Sequence, residues 1–231
     1  MNIVCIIPAR GNSKEIIDKN IINFCGKPLI AWSIEQALAS NHITNVYVSS
    51  DSDKILNISI EYGAKEIKRP DILAQDESSS EEALVHAINE IERSDGNKID
   101  LVVFLQGTSP LRSLEDIDEA INLFIKNNLD SLFSACDLKD LMVWKNVDSK
   151  LTSINYDYKN RERRQDMQKQ YGENGSIYLF KPKIIRESMN RLGGKIGTYV
   201  MDAWKIHEID NKEDIGICEY FMNIKELVKS K

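Results

Sequence analysis

The 231-residue chain predicts an α/β fold built on a mainly parallel sheet. Three features carry that reading. Short, continuously apolar runs alternate with amphipathic stretches long enough for crossover helices. Those runs lack the polar alternation of a half-exposed strand, as expected for strands covered on both faces. The first run ends in a basic, glycine-containing loop, the place where α/β proteins bind ligands.

The elements follow in order. Asn2–Ile7 reads as the first strand and stops at Pro8; Pro28–Ala39 reads as a helix with proline in its first turn, where the missing N–H costs nothing. Asn45–Ser49 is the second strand and Asp53–Tyr62 the helix after it. Ser80–Arg93 is a third helix, with Ser78–Ser80 available to cap it. Leu101–Gln106 is the next buried strand, and Leu114–Lys126 a helix with a Ser113 cap and an acidic first turn. Ser131–Ala135 and Gly175–Phe180 are further strands, and Lys212–Val228 closes the chain as a helix. Between 138 and 170 neither period survives, and a structureless loop of that length is uncommon in a compact domain. The chain therefore divides into an α/β domain over 1–137 and 171–231 and a projecting element over 138–170.

Composition narrows the function. A formal net charge of −6 argues against a nucleic-acid surface, and no apolar run approaches the roughly 20 residues that span a membrane. Residues 1–7 are too few for a secretory leader before the basic loop. Cys5, Cys25, Cys136 and Cys218 show no metal spacing and read as reduced core residues. A cytoplasmic protein is expected.

The loop IPARGNSKEIIDKN places Arg10, Lys14 and Lys19 within a dozen residues of an acidic chain. Cations and backbone N–H groups at a strand end form an anion cradle, and charge-assisted bonds to phosphate are strong. Gly11 is expected to let the backbone approach a ligand closely. Neither GxxxxGK[ST] nor GxGxxG is present, so a Walker loop and a nicotinamide-dinucleotide fingerprint are both excluded.

The blocks IPARGNSKEIIDKN, FCGKPLIAWSIEQAL, VYVSSDSDKI, RPDILAQDESSS, LVVFLQGTSPLRSLEDID, YGENGSIYLF and HEIDNKEDI resemble, in order, the motifs of the acylneuraminate cytidylyltransferases, the CMP-sialic acid synthetase family. The resemblance covers about residues 3–215. It implies a three-layer α/β/α nucleotidyltransferase fold with a small dimerisation element, here 138–170. It also implies transfer of CMP from CTP to the anomeric hydroxyl of a 2-keto-3-deoxy sugar acid, with Mg²⁺, by a homodimer.

Carried over by motif position, Arg10, Ser13, Lys19 and Asn20 are nucleotide ligands, with Lys19 opposing charge on the leaving pyrophosphate. Arg69 and Ser80 match the segment that reads cytosine and ribose. Gln106, Tyr171 and Asn174 match sugar-acid positions, with Gly175 in the same block. Arg164 matches the arginine that grips the sugar carboxylate, and Lys145 falls in a loosely similar place. Glu208 and Asp210 match the metal pair; in an extended segment residues i and i+2 share a face, although Asp210 also suits an N-cap of the last helix. Arg112, beginning a loop that leads to a helix, reads as a surface ion-pair partner.

The chain departs from the usual motif at Asn12, Glu15, Ile17, Gly107 and Gly172. A glutamate at position 15 is expected to carry strain if the backbone there keeps a positive φ. The same pattern also fits CMP transfer to a legionaminic, pseudaminic or deoxyoctulosonic acid, or a homologue that binds nucleotide sugars without turnover.

Overall fold

The structure, a computed structural model, describes residues 1–13, 15–75, 77–138, 141–163 and 165–225. In chain order the elements are β1 (Ile3–Pro8), β2 (Asn23–Phe24), β3 (Lys27–Pro28), α1 (Leu29–Leu38), β4 (Asn45–Ser50), α2 (Asp53–Glu61), β5 (Lys65–Lys68) and α3 (Ser80–Asp95). There follow β6 (Leu101–Leu105), α4 (Leu114–Lys126), β7 (Ser131–Asp137), β8 (Trp144–Val147), β9 (Lys150–Ser153), β10 (Tyr171–Phe180), α5 (Pro182–Ser188), β11 (Ile196–Met201) and α6 (Lys212–Ile224).

The main sheet has seven strands in the order β11-β7-β10-β6-β1-β4-β5. Strand β10 runs antiparallel to both its neighbours, and the other pairings are parallel. Alternation along β1 assigns the layers. Ile3, Cys5 and Ile7 pack with Ile30 and Ile34 of α1, Ile55 of α2 and Ile117 and Phe124 of α4. Val4 and Ile6 face the opposite way, onto Leu84 and Ile88 of α3 and Ile185 of α5. This is a three-layer α/β/α arrangement, with side chains of both parities buried in the central strands.

A smaller cluster lies outside α1 and includes Phe24, Leu29, Trp32, Leu111, Ile209, Cys218 and Met222. Ile209 is buried there, and its N–H donates to the Thr108 carbonyl at 2.8 Å. That anchor fixes the segment on which Glu208 and Asp210 stand.

Several expectations change. Pro28 precedes α1 rather than entering it, with ψ 139°, and pairs with Asn23 in a two-residue ladder. Strand β10 begins at Tyr171, four residues before the expected start, because Tyr171 pairs with Asp137 of β7. Strands β5 and β11 were not anticipated; they are the sheet edges, where side chains need not be continuously apolar. Helix α6 is N-capped by Asn211, which accepts from the Asp214 N–H, so Asp210 is not used as the cap. The expected helix positions 226–228 lie outside the described residues.

Residues 138–170 leave the sheet between β7 and β10, and the Leu138 N–H donates to the Gln170 carbonyl at 3.0 Å across the base of this excursion. Within it β8 and β9 form an antiparallel hairpin with register Trp144↔Ser153. All four cysteines are free thiols, with Cys5, Cys136 and Cys218 buried and Cys25 half-buried. Among the described residues no helix is long and apolar enough to cross a membrane.

Candidate active site

Because β1, β4, β6 and β7 are parallel, their carboxyl ends share one rim, and the antiparallel β10 starts there. A cavity of about 550 Å³ opens at this rim. Arg10, Ser13, Glu15, Lys19, Asn20, Ser80, Phe104, Gln106, Gly107, Arg191 and Asp210 are among the residues that line it.

The basic loop is pinned from below. Ala9 N–H donates to the Ser49 carbonyl at 2.9 Å, and Gly11 N–H to Asp51 Oδ1 at 2.9 Å. A Cβ on Gly11 would lie 3.0 Å from Ser52 Cβ and 3.2 Å from Asp51 Oδ2. The close approach that glycine permits here is to the β4–α2 connection of the chain itself. Asn20, buried, donates from Nδ2 to the Arg10 carbonyl at 3.0 Å and so ties the two ends of the loop. Glu15 is exposed and lines the cavity. Lys14 lies outside the described residues.

Lys19 Nζ is 2.9 Å from Asp210 Oδ1, an ion pair at the cavity wall that joins the basic loop to the acidic segment. Gln106 Nε2 donates to Glu208 Oε2 at 3.4 Å. Burial, and then the neighbouring Asp210 charge, push the Glu208 carboxyl above the usual carboxylate range, against the opposing pull of Lys19. Gly175 at φ +66° is required: a Cβ there would stand 2.7 Å from Gln106 Oε1 and 3.1 Å from Glu208 Oε2.

Arg112 corrects the sequence reading. It is only 1% exposed, and it donates to the Ser176 carbonyl (2.9 Å), Ser176 Oγ (3.1 Å), Ser33 Oγ (2.6 Å) and the Gln106 carbonyl (2.6 Å). Burial lowers its pKa to about 10. A guanidinium with five N–H groups suits this task of holding the β6 and β10 ends together.

The structure does not bring five predicted residues to the cavity wall, among them Glu208, which is hydrogen-bonded to the lining Gln106. Arg69 is buried and spends its guanidinium on Ser49, donating to the carbonyl at 2.6 Å and to Oγ at 3.3 Å. Asn174 is buried behind the wall; its Oδ1 accepts from Ser134 Oγ at 2.6 Å and its Nδ2 donates to the Lys205 carbonyl at 3.1 Å. Tyr171 is exposed at the base of the excursion, and Lys145 is exposed on the β8–β9 hairpin. Arg164 lies outside the described residues. Arg191 and Phe104 line the cavity and were not anticipated: Phe104 reads only as core in an apolar strand, and Arg191 stands in no motif block. Gly172 packs under Leu138, whose Cδ2 would be 2.8 Å from an added Cβ.

A family model described as Cytidylyltransferase matches residues 4–226. The chain is 35% identical over 222 residues to N-acylneuraminate cytidylyltransferase A of Danio rerio, covering 94% of this chain and 50% of that protein. It is 34% identical over 229 residues to a pseudaminic acid cytidylyltransferase of Campylobacter jejuni, covering 97% of each. The chain thus spans about half of the fish protein and nearly all of the bacterial one. The solved structure of a CMP:2-keto-3-deoxy-manno-octonic acid synthetase complexed with CTP superposes with a TM-score of 0.75 at 17% identity, over 97% of this chain and 100% of that one, a likeness of fold. With the basic loop and Asp210 lining one strand-end cavity, the chain belongs to the cytidylyltransferase family.

Proposed function

We propose that this chain transfers CMP from CTP to the anomeric hydroxyl of a sialic-acid-like 2-keto-3-deoxy sugar acid and releases pyrophosphate. The observation that carries the reading is the Lys19–Asp210 ion pair at the wall of one cavity that Arg10 and Ser13 also line. A triphosphate laid on Arg10, Ser13 and Lys19 has its β- and γ-phosphates against fixed positive charge. The sugar hydroxyl oxygen bonds to the α-phosphorus, the bond to the β-phosphate oxygen breaks, and pyrophosphate leaves with that electron pair. The hydroxyl proton passes to water. Lys19 exchanges Asp210 for phosphate oxygens as charge builds on the leaving group. Such chemistry rests on positioning and electrostatics, so no Ser/His/Asp set is needed.

Glu208 and Asp210 fit a magnesium ion: both offer hard oxygen, and burial, with a smaller push from Asp210, raises the Glu208 pKa. Mg²⁺ commonly takes one or two carboxylates and completes its shell with water and substrate phosphates; among the described residues no cluster of three or more His, Cys, Asp or Glu ligands stands ready. When bound there, it would polarise the α-phosphate and acidify the attacking hydroxyl. Gln106, held by Arg112 beneath and Glu208 beside it, faces the sugar acid.

The excursion is the homodimer contact in this reading. Leu141, Trp144, Val147, Leu151 and Ile154 are large apolar side chains left exposed on it. A second copy covers them, and Lys145 and Arg164 act at the sugar end from this element.

Pyrophosphate release with CTP, Mg²⁺ and a panel of N-acetylneuraminic, legionaminic, pseudaminic and deoxyoctulosonic acids tests the proposal. A relative matched over 97% of each chain is a pseudaminic acid cytidylyltransferase, which puts that acid first in the panel. Release with one of the four is expected; silence across the panel, with CTP still bound, turns the reading to a binding homologue without turnover.

A further inference from the structure

Arg191 is a cavity residue to which the proposed reaction assigns no task. It stands beyond α5, after Met189 turns the chain with a left-handed φ of 49°, and Leu192 beside it packs into the core. Its guanidinium carbon lies 5.0 Å from the Phe104 ring centroid and 4.7 Å from that of Tyr178, over two rings that are themselves stacked at 5.4 Å. The edge of the guanidinium reaches the first residues of α3, with Nε 3.0 Å from Glu81 Oε1 and Nη2 donating to Ser80 Oγ at 3.0 Å. Ser80 Oγ in turn donates to Glu81 Oε2 at 3.0 Å, so the three side chains close a ring at the cavity wall.

The ring decides the polarity of Ser80. A hydroxyl has one proton and two lone pairs. Here the proton is committed to Glu81 and one lone pair to Arg191, which leaves a single acceptor site. We propose that Arg191 is a positioning residue for nucleoside recognition: together with Glu81 it fixes Ser80 Oγ as a hydrogen-bond acceptor for a donor on the nucleoside, either a ribose hydroxyl or the amino group of cytosine. The inference rests on the cytidylyltransferase reading of the site. Lysine cannot take the place of Arg191, because a point charge does not hold Glu81 and Ser80 in one plane while lying flat on two rings.

The test is calorimetric titration of the full chain with CTP, 2′-deoxy-CTP, 3′-deoxy-CTP and UTP, for wild type, Arg191→Met, Arg191→Lys and Ser80→Ala. Wild type is expected to prefer CTP at least tenfold over the analogue that lacks the donor Ser80 meets. Arg191→Met and Ser80→Ala should each shrink that ratio below threefold, the double variant should lose nothing more, and Arg191→Lys should group with Arg191→Met. A merely structural arginine would leave the ratio intact. The inference fails alone if wild type binds CTP and Arg191→Met, melting as wild type does, keeps the ratio. It also fails if no analogue is discriminated. If Arg191→Met does not fold, Ser80→Ala decides: a wild-type ratio in that variant overturns the proposal. A wild type that binds none of the four nucleotides overturns the cytidylyltransferase reading and this inference with it.

Discussion

The strand-end rim and the excursion over 138–170 are held by different physics. At the rim, polar side chains are buried and spent on backbone: Arg112 on Gln106 and Ser176, Asn20 on Arg10, Asn174 on Lys205. On the excursion, apolar side chains are exposed, with Leu151 at 67% and Ile154 at 58%. The rim is preorganised within one chain. The excursion presents what a second chain would bury. A preorganised rim holds its cations and carboxylates in place through the buried polar side chains beneath them.

The sharpest way to break this contrast is Arg112→Leu. Removing the guanidinium strands several buried acceptors at once, and each buried unsatisfied group costs about 1–3 kcal/mol. A loss of roughly 3 kcal/mol or more in chemical denaturation is expected, and a loss under 1 kcal/mol would show that the rim is not held this way.

Lys19→Met comes next. Loss of one preorganised charge at the leaving group typically costs about 10²–10³ in kcat. Steady-state kinetics should show that fall with denaturation unchanged, because Lys19 pairs with a well-exposed Asp210.

The excursion should respond in the opposite sense. Leu151→Asp touches an exposed side chain, so unfolding of the monomer should move by no more than about 0.5 kcal/mol. Sedimentation should nevertheless shift toward monomer, and an unchanged dimer would place the subunit contact elsewhere.

The mildest effect concerns pH. The Glu208 pKa is raised in the folded chain by burial and Asp210, so protonation competes with metal there at a higher pH than for an ordinary carboxylate. Mn²⁺ affinity, read by paramagnetic relaxation as pH falls, should begin to weaken above the usual carboxylate range, and Glu208→Gln should remove that component. By linkage, a carboxyl whose folded pKa is raised favours the folded state below that pKa and loses that advantage as pH rises through it.

The sequence made the centre of this molecule legible and its edges obscure. β1, β4 and β6 announce themselves because a strand buried on both faces must be apolar throughout. β5, KEIK, has one buried side chain and reads as surface; its identity comes from pairing with β4, which no local pattern encodes. Arg10, Lys19, Gln106 and Asp210 stand in recognisable sequence blocks, and all four line the cavity. Arg112 was misread because a loop arginine gives no hint that four acceptors converge on it. Arg191 was missed because its role depends on α5 returning the chain to the start of α3, a tertiary fact.

The central claim is that the triphosphate of CTP lies between Lys19 and the Glu208–Asp210 segment. A crystal structure of the chain with CTP and a divalent cation tests it most directly. The account predicts phosphate oxygens on Arg10, Ser13 and Lys19, with Lys19 turned away from Asp210 and the cation on the two carboxylates. CTP bound anywhere else, with the Lys19–Asp210 pair intact at 2.9 Å, would contradict it.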